Sequence, residues 1–161
     1  MKTLFLIRHA KSDWGNLGAK DYDRVLNARG LRDAPEMGKR LKAIGMIPEL
    51  FISSTAKRAE LSSKLITEAM GYPFKNIGWF DSLYLASPNT MMRVIADTDD
   101  SVSTLALLAH NPGITELAEK LSGQTLNNMP TSAVVTLTSA IERWEDAYTA
   151  WQLQDFDYPK R

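Results

Sequence analysis

Residues 103–123 read STLALLAHNPGITELAEKLSG. From Leu105 to Ala109 the apolar side chains do not alternate with polar ones, the pattern of a strand buried on both faces. His110 closes the run and Asn111-Pro112-Gly113 turns the chain. Ile114, Leu117, Ala118 and Leu121 then recur at steps of three and four, one face of a helix. A buried strand, a turn and an amphipathic helix in succession predict a parallel sheet covered by helices on both sides.

The same alternation extends outward in both directions. Thr3 to Ile7 (TLFLI) is a second buried strand, followed by the polar, glycine-bearing loop DWGNLGAKDYDRVLNARG. Leu31, Ala34, Met37, Gly38, Leu41 and Ile44 mark one helical face, with Pro35 expected in the first turn, where a missing N–H costs little. Gly45 and Pro48 end that helix. Glu49 to Ser54 is a strand, and a helix runs from Thr55 or Ala56 to about Met70. NIGWF is a weaker strand broken by Gly78, and Ser87 caps a short helix to Asp97 with Pro88 at its first position. AVVTLT and a stretch near Ala150 to Phe156 complete six strands. No repeat or linker interrupts them. The expectation is a single domain, residues 1–161: a three-layer α/β/α sandwich around a mostly parallel sheet.

Composition narrows the function. Nineteen basic residues balance nineteen acidic ones among 161, so no global basic field attracts nucleic acid or an anionic membrane. Any anion site must be a local cluster. Without cysteine there is no disulfide, thiol nucleophile or thiolate metal site. The apolar run Leu4–Ile7 is too short for a secretory signal, and no segment approaches the length of a membrane span. A cytoplasmic protein is expected.

In an open α/β sheet the chemistry gathers at the carboxyl ends of the strands. The chain has only two histidines, and both fall at such ends: His9 after Arg8, and His110. Strand two runs through Ser53-Ser54 into a helix whose first turn carries Arg58. Guanidinium forks match phosphate oxygens, and the helix N-terminus adds partial positive charge. Paired carboxylates for magnesium are missing, as is a Walker loop. A neutral imidazole is then the natural nucleophile, with arginines neutralising the transferring group. Covalent transfer to a histidine followed by hydrolysis is expected, with no metal or cofactor. Lys11 and Lys57 read as solubility charges, and Trp14 as loop packing or a pocket wall. Tyr22, Tyr72, Trp144 and Trp151 read as core or edge packing.

LIRHAKSDW, DYDRVLNARG, FISSTAKRAELSS, LYLASPNTM and LLAHNPGITELAEKLSG occur in this order. Together they resemble the histidine phosphatase superfamily, the phosphoglycerate-mutase-like fold, and most of all its SixA-like phosphohistidine phosphatases. The resemblance implies that His9 is the phosphorylated nucleophile. It implies that Arg8 and Arg58 clamp phosphate, that His110 is the second pocket histidine, and that Ser12 lies near the phosphate. Asp81, in WFDSLY, is the implied candidate proton donor, with turn or helix capping as its alternative role. The chain departs from the family pattern at Ala10, where glycine is usual, and at Gly15, where an asparagine often follows the tryptophan. The segment between Trp79 and Leu105 is too short for a large lid over the pocket. The implied partner is a phosphorylated protein carrying phosphohistidine, or a small phosphate ester. A phosphatase of small metabolites and an inactive phospho-binding module are the alternatives; a mutase is disfavoured, because neither a lid nor a second phosphate clamp is visible.

Overall fold

The computed structural model describes residues 1–161. Its strands are β1 (Lys2–Arg8), β2 (Leu50–Ser54), β3 (Gly78–Phe80), β4 (Thr104–Ala109), β5 (Val134–Ser139) and β6 (Gln152–Asp157). They form one sheet in the order β3-β2-β4-β1-β5-β6. The first four are parallel, and β5 runs antiparallel between β1 and β6. The helices are α1 (Ala28–Ala43), α2 (Lys57–Met70), α3 (Pro88–Ala96) and α4 (Gly113–Ser122).

Side chains on successive strand residues point to opposite faces, and the apolar runs use both. Phe5 and Ile7 of β1 and Ala106 and Leu108 of β4 pack with Ala34, Met37, Ala59 and Ile66 of α1 and α2. Leu4 and Leu6 of β1 and Leu105 and Leu107 of β4 pack with Met91, Ile95, Ile114 and Leu117 of α3 and α4. Two cores thus flank one sheet, giving the expected three-layer sandwich. Trp144 and Trp151 stack at 6.1 Å within the second core, as packing residues.

One helix boundary differs from the periodicity. The Asn27 side chain accepts from the Gly30 amide at 2.9 Å and starts α1 at Ala28, ahead of the first periodic apolar residue. Pro35 therefore lies inside the helix rather than in its first turn, removing the N–H that would reach the Leu31 carbonyl. The buried face through Ala34, Met37, Gly38 and Leu41 carries the helix past it. A Cβ on Gly38 would stand 2.4 Å from the Ile66 carbonyl oxygen, so only glycine lets α1 approach α2 this closely. The last strand begins at Gln152 and extends to Asp157, two residues later than expected at its start.

Parallel β1, β2 and β4 bring three strand ends to one edge. Arg8 lies in register with Ala109, and Ser53 with Leu108. The residues just beyond, His9, Ser54 and His110, consequently meet there.

Candidate active site

His9 leaves β1 with its amide donating to the Ala109 carbonyl at 3.1 Å. Its side chain is only 6% exposed. Nδ1 lies 2.7 Å from the Ala10 carbonyl oxygen. A carbonyl can only accept, so Nδ1 carries the proton and Nε2 keeps its lone pair. Burial, with His110 and then the arginines adding repulsion, pushes the His9 pKa down to about 3. The ring is therefore neutral at physiological pH, with one free nitrogen.

His110 is 1% exposed, and its ring centroid lies 5.1 Å from that of His9. Its Nε2 is 2.8 Å from Ser54 Oγ. The same hydroxyl accepts from the Ala56 amide at 3.2 Å. His110 Nδ1 is a buried atom with no partner in the protein. Burial and the neighbouring Arg58 lower this pKa to about 3 as well.

The two arginines complete the pocket. Arg8 donates from Nη1 to the Met129 carbonyl at 2.9 Å, on the segment leading into β5. Arg58 is 3% exposed, and both of its terminal nitrogens bond to Asp21: Nη1 to the main-chain oxygen at 2.8 Å and Nη2 to Oδ2 at 3.2 Å. The Nε atoms of both arginines are buried without a partner. Burial and the proximity of Arg58 push the Arg8 pKa down. Unpartnered buried nitrogens on two neighbouring guanidiniums are costly, and an oxyanion bound beside them would relieve their repulsion. Helix α2 begins beside them with no side chain capping its first turn, which adds partial positive charge.

A second ring of contacts holds this set. Ser62 of α2 accepts from the Ala10 amide at 2.8 Å and donates to the Arg58 carbonyl at 2.6 Å, tying the turn after His9 to the helix that carries Arg58. A Cβ on Gly30 would stand 2.2 Å from the Lys11 carbonyl oxygen, so glycine lets the start of α1 close on the same turn. Asp21 receives Arg58 and Tyr84 on Oδ2 and Arg24 on Oδ1. The Tyr84 hydroxyl first, then the two arginines, hold its carboxyl down to about 2. Arg24 also donates to the Ser12 hydroxyl and lies 3.5 Å over the Trp14 ring.

The structure brings His9, Arg8, Arg58 and His110 together at the sheet edge. Ser12 is buried nearby, its hydroxyl taken by Arg24. Asp81 follows β3, and Thr55 donates to its Oδ1 at 2.6 Å; no hydrogen bond or ion pair joins it to either histidine or to Arg8 or Arg58. Lys57 pairs at the surface with Glu60 at 3.6 Å. Sequence reasoning missed Ser54, Asp21, Arg24 and Tyr84, and read Tyr22 as packing. The available signal was the pattern Asp21-Tyr22-Asp23-Arg24, which places opposite charges at positions 21 and 24, three residues apart.

An α/β sandwich with a buried, partly unsatisfied oxyanion pocket built around two neutral histidines defines a phosphoryl-handling class. The model of the histidine phosphatase superfamily (branch 1) matches residues 4–77, and a Mycobacterium leprae protein of uncharacterised function is 31% identical over 86% of this chain and 90% of its own. The chain belongs to the histidine phosphatase superfamily. Within it the likeness is to the SixA group. A structure assigned as phosphohistidine phosphatase SixA from Agrobacterium tumefaciens is 28% identical, covers 98% of both chains and superposes with a TM-score of 0.85. The protein histidine phosphatase SixA complexed with tungstate shares the fold at a TM-score of 0.84, with 20% identity over 98% of this chain and 97% of that one. The family and its solved neighbours support phosphatase activity on a phosphorylated substrate. No helix is long and apolar enough to cross a membrane.

Proposed function

We propose that the chain is a histidine phosphatase, residues 1–161 forming one domain without a large lid, that works through a phosphoryl group carried on His9. The observation that carries this reading is the free Nε2 lone pair of a neutral His9 beside the unpartnered buried nitrogens of Arg8, Arg58 and His110. The substrate phosphoryl group rests on Arg8, Arg58 and His110. Nε2 of His9 attacks phosphorus, a P–N bond forms, and the bond to the leaving group breaks with its electron pair departing on that group. Water then attacks the phosphorus of phospho-His9, releases orthophosphate and returns the lone pair to Nε2. The guanidiniums stabilise the equatorial oxygens in both steps, so the reading calls for no metal.

Phosphohistidine on a protein is the substrate this pocket favours. Asp21, the carboxylate beside the guanidiniums, is held ionised and cannot give a proton near neutral pH. Asp81 is engaged by Thr55 at the rim. An alkoxide departs poorly without a general acid, whereas a phosphoimidazole protonated on its second ring nitrogen brings its own proton and releases neutral imidazole, a far weaker base. The absence of cysteine suits a reducing cytoplasm.

The test is rapid quenching after mixing with a phosphohistidine peptide and, separately, small phosphate esters, with metal chelated. The expected result is a transient acid-labile, alkali-stable phosphoryl label on His9 and phosphate release from the peptide, both lost in His9→Ala. Phosphate release that survives in His9→Ala overturns the mechanism. Release from esters with a silent peptide moves the substrate to small metabolites.

A further inference from the structure

Tyr84 stands edge-on to His110, with centroids 5.6 Å apart and planes at 81°. The Arg58 guanidinium carbon lies 5.9 Å from the Tyr84 ring. Tyr22 stands edge-on to Tyr84 in turn, at 5.0 Å and 86°. These two rings come from different parts of the chain, the loop after β1 and the turn after β3, and they meet only beside the oxyanion pocket.

Both hydroxyls are already used. Tyr84 donates to Asp21 Oδ2, and Tyr22 donates to Thr55 Oγ1 at 2.7 Å, which passes the bond on to Asp81. The turn carrying Tyr84 is itself pinned. Leu83 is fully buried, Leu85 adopts a φ of 49° that leucine rarely takes, and the Ala86 carbonyl closes against Gly113 with no room for a Cβ. The rings are therefore held in place, and they offer apolar edges and faces rather than free hydroxyls. A flat ring finds stacking and edge contacts.

The geometry points to Tyr84, backed by Tyr22, as the wall that receives the leaving group and selects a planar aromatic one. This rests on phosphoryl transfer to His9. In that step the phosphoryl imidazole arrives protonated on its second ring nitrogen, its P–N bond breaks with the electron pair going to the ring nitrogen, and neutral imidazole departs along Tyr84 as the new P–Nε2 bond forms. An aryl phosphate presents the same planar chemistry through oxygen.

The experiment measures kcat/KM for phosphoimidazole, phenyl phosphate and acetyl phosphate in the wild type, Tyr84→Phe, Tyr84→Leu and Tyr22→Leu. Acetyl phosphate has a good leaving group and no ring. Loosening Asp21 lowers all rates together, so the ratio of phosphoimidazole to acetyl phosphate isolates the ring. That ratio is expected to fall about three- to tenfold in Tyr84→Leu, through KM, and to hold in Tyr84→Phe. Tyr22→Leu is expected to lower it by less, which keeps the test alive should Tyr84→Leu fold poorly. A ratio unchanged in both leucine variants, or lost equally in Tyr84→Phe, overturns the wall while leaving the phosphatase reading intact. Inactivity of the wild type on all three substrates without label on His9 overturns both. Phenyl phosphate separates the sources: a ratio to acetyl phosphate that falls only for phosphoimidazole assigns the wall to imidazole, and a parallel fall assigns it to aromatic rings in general.

Discussion

Arg58 spends both of its terminal nitrogens on Asp21, one on the main-chain oxygen at 2.8 Å and one on the carboxylate at 3.2 Å, while its Nε remains buried and unpartnered. The guanidinium is thus anchored from outside the pocket and keeps one donor directed elsewhere. Tyr84 and Arg24 share the same carboxylate, so a single acid organises the aromatic wall, the second basic residue and one arm of the clamp.

Asp21→Asn should therefore weaken the clamp without emptying it. The asparagine keeps an acceptor but loses the charge that binds two guanidiniums, an effect worth about 1.5–3 kcal/mol for a charged hydrogen bond. The expected outcome is a drop of about tenfold in kcat/KM for every substrate. Steady-state kinetics check it, and unchanged kinetics would deny Asp21 its positioning role.

In the proposed mechanism Ser54 donates to His110 Nε2 and keeps the ring proton on Nδ1. With Ser54→Ala, Nε2 loses its donor, the proton is free to sit on Nε2, and Nδ1 then turns a lone pair toward the phosphate oxygens. A fall of about tenfold in kcat with little change in KM is expected, consistent with losing one hydrogen bond to a charged group. Ser54→Thr, which keeps the hydroxyl, should recover most of it. Nitrogen chemical shifts of His110 read the tautomer directly.

The histidines set the pH behaviour. Both have native pKa values of about 3, below the 6.5 of a free imidazole. After correction for the substrate's own phosphate ionisation, kcat/KM should show no acid limb near pH 6.5, because the free enzyme's His9 is still neutral there. For stability, the unfolded chain takes up the two protons first as pH falls. Folding is then favoured fully above about pH 6.5, and loses ground from there down to about 3. His9→Gln with His110→Gln should flatten the slope of unfolding free energy between those limits, measured by denaturant titration at several pH values. An unaltered slope would mean the imidazoles titrate normally in the folded protein.

Ser62 has no part in the chemistry yet joins two of its elements. Ser62→Ala leaves the buried Ala10 amide without an acceptor, a loss of about 1–3 kcal/mol in stability. A thermal melt checks the stability, and the drop should exceed that of Lys64→Ala, a truncation on the exposed face of α2 that calibrates the helix itself. Activity should decline too, since the turn after His9 is then no longer tied to Arg58.

The sequence by itself determined the layers and the principal reactants. Its apolar runs have no polar alternation, so they had to be strands covered on both faces, and parallel strands joined by helices carry their carboxyl ends to one edge. His9, Arg8, Arg58 and His110 were legible for that reason: each sits at or just past a strand end. The start of α1 was not, because the apolar period begins later than the Asn27 cap and Pro35 suggested a boundary where the helix runs through. Asp21, Arg24, Tyr22, Ser54 and Tyr84 were decided only by the tertiary structure. Their roles rest on hydrogen bonds and ring contacts between residues as much as 63 positions apart, Tyr84 to Asp21 among them. Periodicity reports which side of an element faces the core; it carries no information about which distant loop folds over a strand end, and in this protein that loop supplies the anchor for the clamp.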